Sequence, residues 1–309
     1  MQDLITVVLP VFFVIGFGYL AARRGLFNDS AIDGLMTFAQ KFAVPFLLFR
    51  AISTLDLSQS FNLALLTSFY TGAFTGFTLG ILGGRFLFKR SWEDSIAIGF
   101  CGLFSNSLLL GLPISERAYG VESLAGNFAI IAVHSPICYG LGITAMEIAR
   151  NRGKTGFTMV KAILKAMFSN ALILGIALGF VVNLSGITLP VSLRDAIDLM
   201  VRAALPAALF GLGGVLNRYR PEGDIVTSLY IVTASLVVHP LIAYSLGVSF
   251  GLSDPLLRSA VVTAAMAPGV NAYVFADMYG AAKRVAATSV LLGTALSILT
   301  VWVWLHILP

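Results

Sequence analysis

Few side chains in this 309-residue sequence combine reactive chemistry with a position inside an apolar run. The densest group is Ser105-Asn106-Ser107, followed by a glycine–proline pair, Gly111 and Pro113. A second group is Pro268-Gly269 with Asn271. His134 and His239 each lie close to a proline, and Lys41 and Arg202 are cations within hydrophobic stretches of the sequence. Hydrolytic chemistry would need a nucleophile aligned with a base, or a pair of carboxylates. Only Ser107 and the sequence neighbours His134 and Ser135 offer raw material, and neighbours do not face each other merely by adjacency. No G-x-S-x-G motif is present, so an intramembrane enzyme is the remotest reading. No metal-ligand spacing and no cofactor fingerprint occurs either.

The two proline-centred groups suit binding better than bond making. Proline lacks an N–H and clashes with the carbonyl four residues back, and glycine lowers the cost of leaving helical geometry. In hydrocarbon such a break is tolerated where it is buried in protein or lines a cavity. A half-helix that starts at the break presents unpaired N–H groups and a positive dipole end, a seat for a carboxylate. The asparagines and serines add neutral donors. The substrate-binding candidates are therefore Ser105, Asn106, Ser107, Pro113, Pro268, Gly269 and Asn271.

The elements that would position them follow from composition. Residues of hydrophobic type make up 58% of the chain and charged residues 11%, with mean hydropathy +0.90. A soluble domain carries about a quarter charged residues, so a polytopic membrane protein is expected. Ten helices of about 20 residues fit the length and leave only short connections. Apolar windows place them near 4–22, 31–50, 61–82, 93–114, 122–147, 162–183, 194–216, 225–250, 255–278 and 284–307. The first is a span and not a signal peptide, since Asp3 precedes it and Arg23-Arg24 follow it. Cys101 and Cys138 lie inside apolar runs and imply no disulfide framework.

Connections after odd-numbered spans hold Arg23, Arg24, Arg85, Lys89, Arg90, Arg150, Arg152, Lys154, Arg218, Arg220, Lys283 and Arg284, with Lys161 and Lys165 bordering them. Connections after even-numbered spans hold only Arg50, Arg117, Arg194 and Arg258. The positive-inside rule puts the odd connections in the cytoplasm and both termini outside. The net charge of +5 thus reflects membrane orientation, with no nucleic-acid partner implied.

An internal repeat is also legible. Residues 41–49, KFAVPFLLF, align with residues 202–210, RAALPAALF, at an offset of 161 that carries Ser107 onto Pro268. Five spans per copy is an odd number, so the second copy enters from the opposite side, the inverted plan of secondary transporters. The expected division is 1–147 for the first repeat, 148–161 for a basic cytoplasmic loop and 162–309 for the second repeat.

Lys41 and Arg202 could attract an anionic substrate, or could snorkel and pair with carbonyls freed by Pro45 and Pro206. His134 and His239 are candidates for a proton relay, and Asp277, six residues after Asn271, for a gate or coupling group. Packing, capping or solvated roles compete with each of these. No carboxylate lies near the breaks, so proton coupling is preferred to sodium.

These motifs resemble the auxin efflux carrier family, within the bile acid and auxin carrier superfamily. The resemblance rests on FAVPFLLF at 42–49, on NSLLLGLP at 106–113 with Tyr119-Gly120, on residues 264–276 with Tyr279-Gly280, and on LPAALFGLG at 205–213. It implies an all-α protein of ten helices in a 5+5 inverted repeat, with the fourth and ninth broken and crossed. It further implies a scaffold of 1–60 plus 162–222, a mobile core of 61–147 plus 223–309, a homodimer, and elevator-type transport of small organic anions across a bacterial inner membrane. Short bacterial members are described as malonate or malate transporters. Two departures are Ser105 where the family often has proline, which predicts a gentler break, and Asn170-Ala171 where it often has Asn-Pro. An uncoupled facilitator or channel for the same anions is the alternative.

Overall fold

The computed structural model describes residues 4–150, 171–219 and 224–309, with the side chains of 58, 59 and 122 left out. The sixth expected span begins outside these residues, and Arg152, Lys154, Lys161, Lys165, Asn170 and Arg220 also lie outside them. The described chain is helical. A backbone in hydrocarbon must satisfy its N–H and C=O groups internally, and a helix does so within one segment.

Seven helices among the described residues are long and apolar enough to cross a membrane. They are α1 (Leu4–Arg23), α2 (Asp29–Thr54), α3 (Leu63–Leu87), α6 (Ala125–Ala149), α8 (Val191–Arg218), α9 (Ile225–Ser249) and α12 (Lys283–Ile307). Helix α7 (Ala171–Ser185) is shorter. Where the fourth and ninth spans are expected, the chain forms two helices each: α4 (Trp92–Leu103) and α5 (Leu112–Tyr119), then α10 (Asp254–Ala264) and α11 (Val270–Tyr279).

Local chemistry starts and bends these helices. The side chains of Asn28, Asn62 and Ser91 cap α2, α3 and α4 by accepting from the N–H groups of Ala31, Leu65 and Asp94. Four stretches widen into π turns two residues ahead of a proline. They are Leu4–Val8 before Pro10, Ala39–Ala43 before Pro45, Ser107–Gly111 before Pro113 and Ala234–Val238 before Pro240. The wider turn accommodates the ring and the missing donor without ending the helix.

The described residues form two compact units, one from Met1–Leu9, Phe61–Ile163 and Tyr219–Pro309, the other from Pro10–Ser60 and Leu164–Arg218. In the smaller unit, α1, α2, α7 and α8 approach through small residues. Gly18 faces the Phe210 backbone, Gly213 the Ile15 backbone and Gly175 the Pro45 backbone, where any side chain would collide. Polar ties sit at the helix ends. Arg218 holds Asp29 (2.9 Å) and Asp33 (2.7 Å), Arg50 holds Asp198 (3.0 Å), and Asn183 Nδ2 donates to the carbonyls of Ile52 (2.9 Å) and Leu55 (2.8 Å).

The larger unit is built from α3–α6 and α9–α12 around a core that includes Phe69, Phe100, Leu103, Ile130 and Phe275. Gly76 and Gly102 let the backbones of α3 and α4 touch. Phe100 of α4 stacks on Phe275 of α11 with ring centroids 4.0 Å apart and planes 7° from parallel.

Candidate functional site

The interruptions at residues 104–106 and 265–269 meet in the interior of the larger unit. Helix α4 closes with the Phe104 N–H on the Phe100 carbonyl (3.0 Å), and α10 with the Ala265 N–H on the Val261 carbonyl (2.9 Å). The freed backbones then pair with each other, Ser105 opposite Pro268 in antiparallel sense. The Asn106 N–H donates to the Ala267 carbonyl (2.8 Å) and the Gly269 N–H to the Phe104 carbonyl (2.8 Å). In this pattern the directly opposed residues exchange no bond, and their neighbours supply both. Pro268 therefore occupies a place that asks for no N–H. The pairing also explains why α4 stops without a proline: the chain turns extended at Phe104, and the backbone of 267–269 takes up the freed groups.

The site is buried and polar. Ser105, Asn106 and Ser107 are 2%, 5% and 3% exposed, and Pro268 and Gly269 are buried. Ser107 Oγ donates to the Ser105 carbonyl (3.2 Å), and Ser235 Oγ of α9 to the Met266 carbonyl (3.4 Å). Ser105 Oγ and Asn106 Nδ2 have no partner among the described residues. Buried polar groups are bonded in the great majority of cases, and here two unmet donors lie side by side.

Two helical segments begin here and run away from it, one through the π turn at Ser107–Gly111 into α5, the other α11. Gly269 is the N-cap of α11, and Asn271 follows in its first turn, half-buried. Both first turns add N–H donors and a positive dipole end. Every charged side chain of α4, α5, α10 and α11 lies towards a far end: Glu93, Asp94, Glu116, Arg117, Asp254, Arg258 and Asp277. The arrangement can hold an anionic group by neutral donors and dipoles. Pro113 lies further along, buried at the start of α5.

The other sequence candidates are placed as follows. His134 is buried on α6 and meets Phe104 edge-on (4.7 Å between ring centroids), which puts it beside the interruption. His239 is buried on α9, its Nε2 3.0 Å from the Phe69 carbonyl, and Phe69 contacts both imidazoles (5.6 Å to His134, 4.8 Å to His239). Asp277 is exposed at the far end of α11 and pairs with Lys283 (2.6 Å). Lys41 and Arg202 are exposed on helices of the smaller unit.

Three features escaped the sequence. One is the Ser105–Pro268 pairing, between residues too distant for any local pattern. Another is Arg258 over the Tyr119 ring (4.6 Å), joining the outer ends of α10 and α5. The third is a buried amide, Asn127, bonded to Ser115, Thr263 and Ser259. Its sole sequence signal is an asparagine inside an apolar helix.

Comparison with known proteins bears on this geometry. The family model described as "Membrane transport protein" matches residues 3–305. A protein of Rhizobium meliloti (strain 1021) named "Putative malonate transporter" is 29% identical over 97% of this chain and 94% of its own. Auxin efflux carrier component 8 of Arabidopsis thaliana is 24% identical over 96% of this chain and 95% of its own. The Escherichia coli (strain K12) protein named "Uncharacterized transporter YfdV" is 21% identical over 97% and 96%. With nearly its whole length matched and with such transporters as relatives, this integral membrane chain belongs to the membrane transport protein family that includes the auxin efflux carriers, and it is a transporter, not an enzyme.

Proposed function

We propose that the chain is a secondary active transporter of small organic anions, carboxylates of the malonate and malate type, which bind where the interruptions at 104–106 and 265–269 meet. One observation carries the reading: two helix N-termini open onto a buried place where Ser105 Oγ and Asn106 Nδ2 have no partner among the described residues. Neutral donors and dipole ends suit a carboxylate that must also leave, because they receive it without the desolvation cost of a lysine or arginine buried beside it. The name of the Rhizobium relative supports malonate, and that of the Arabidopsis relative keeps indole-type acids in view.

The finer plan is part of the same proposal. The two halves, offset by 161 residues, form a 5+5 inverted repeat of ten spans with the fourth and ninth crossing at the site. Residues 1–60 with 162–222 are the scaffold and 61–147 with 223–309 the moving body of an elevator, in a homodimer of the bacterial inner membrane with both termini outside. His134, beside Phe104, and His239 are the groups offered for proton coupling. Asp277 serves at the end of α11 as a gate, and Lys41 and Arg202 serve to attract anions.

The test is uptake of labelled malonate, malate and indole-3-acetate into proteoliposomes, with and without an inward proton gradient. Saturable uptake of a dicarboxylate that the gradient enhances is the expected result. Saturable uptake indifferent to the gradient would leave an uncoupled facilitator. No uptake of any of the three would overturn the substrate assignment.

A further inference from the structure

Asn127 of α6 is 1% exposed and has its amide committed in three directions. Its Nδ2 donates to Ser115 Oγ of α5 (3.0 Å) and to Thr263 Oγ1 of α10 (2.9 Å), while its Oδ1 accepts from Ser259 Oγ of α10 (2.9 Å). Ser115, Ser259 and Thr263 are themselves buried. In such a place no water competes for the partners, so the bonds hold direction as well as contact.

The neighbouring residue makes the approach feasible. A Cβ on Gly126 would stand 2.7 Å from Ser259 Cβ, so glycine is what lets α6 come near enough to α10. The bonded residues flank the candidate site: Ser115 is nine residues after Asn106, and Thr263 is five before Pro268. Helix α5 leaves one interruption and α10 enters the other. The complementary pair, α4 and α11, is tied separately by the Phe100–Phe275 stack. One amide therefore joins the flanks of both interruptions on one side of the paired backbones.

We propose that Asn127 is a positioning residue for transport: by clamping α5 to α10 it sets the register in which Ser105 meets Pro268, and so the aim of the Ser105 and Asn106 donors. The inference rests on the binding-site reading above only for its consequence on substrate. The clamp itself is a statement about backbone geometry and has its own readout.

The experiment compares wild type with Asn127→Leu, which keeps volume and removes all three bonds, in lipid nanodiscs for exchange and in proteoliposomes for uptake. Hydrogen–deuterium exchange is expected to rise about tenfold at both 104–112 and 264–272, because opening there draws on the lost bonds. Uptake of labelled malonate is expected to show KM raised about tenfold with maximal rate nearly unchanged, since a misaimed donor weakens binding before it slows movement. Ser115→Ala with Thr263→Val should reproduce both effects, and adding Asn127→Leu to that pair should change little more, as members of one network are not additive. Faster exchange confined to α6, or a wild-type KM, would overturn the proposal. If Asn127→Leu does not insert, Thr263→Val removes a single bond and should give the same pattern in smaller measure. Absence of uptake by wild type would count against the substrate reading alone, while exchange would still decide the clamp.

Discussion

Asn106 spends its backbone on the fold and leaves part of its side chain unused. Its N–H and carbonyl hold Ala267, Leu110 and Gly111, whereas its buried Nδ2 bonds to nothing among the described residues. A buried donor left unmet costs about 1–3 kcal/mol, a penalty that substrate binding at the proposed site would relieve. Asn106→Ala is therefore expected to leave the melting temperature equal or slightly higher while saturable uptake is lost. A thermal-shift series beside an uptake assay checks both halves. A variant that melts markedly lower would show that the side chain is structural, and one that transports normally would remove it from the site.

At the scale of elements, the site depends on how closely α12 backs the second interruption. Gly293 of α12 faces the Pro268 ring, and a Cβ there would lie 2.7 Å from Pro268 Cδ. A proline ring is rigid and cannot rotate away. Gly293→Ala is thus expected to cost about 1–3 kcal/mol, as overpacking does, and to reduce uptake by displacing Pro268. Gly140 of α6 provides the control, since a Cβ added there would meet nothing within 4 Å, and Gly140→Ala should be neutral or mildly stabilising. Denaturation midpoints in detergent and initial uptake rates for the two variants decide the matter. Local rules explain which of these elements could be read from sequence. Helices announce themselves by hydropathy, and the interruptions by the chemistry of Pro268-Gly269 and of the Gly111–Pro113 segment. Ser105 shows where that reasoning stops. No proline acts there, and its departure from helix is sustained by bonds between its neighbours and the backbone of 267–269, reached across the fold. Asn127 was illegible for the same reason, its partner Thr263 lying 136 residues away.

For the whole molecule, charge is the property most clearly sorted along the chain, and it yields the proposed orientation. The connections after odd-numbered spans hold most of the lysine and arginine, and the bias acts through these short segments next to apolar helices. A test should leave that bias untouched, so the probes must replace neutral residues. Leu26, after the first span, is 82% exposed, and Ser253, after the eighth, is exposed just ahead of α10. Both native cysteines, Cys101 and Cys138, are buried, which keeps background labelling low. A membrane-impermeant maleimide applied to intact spheroplasts is expected to label Ser253→Cys directly and Leu26→Cys only after permeabilisation. The reverse pattern would invert the molecule in the membrane. Inversion would exchange the faces that open to the two compartments, while the helix N-termini at the proposed site would keep their aim towards a bound anion and the gradients alone would still set the direction of net transport.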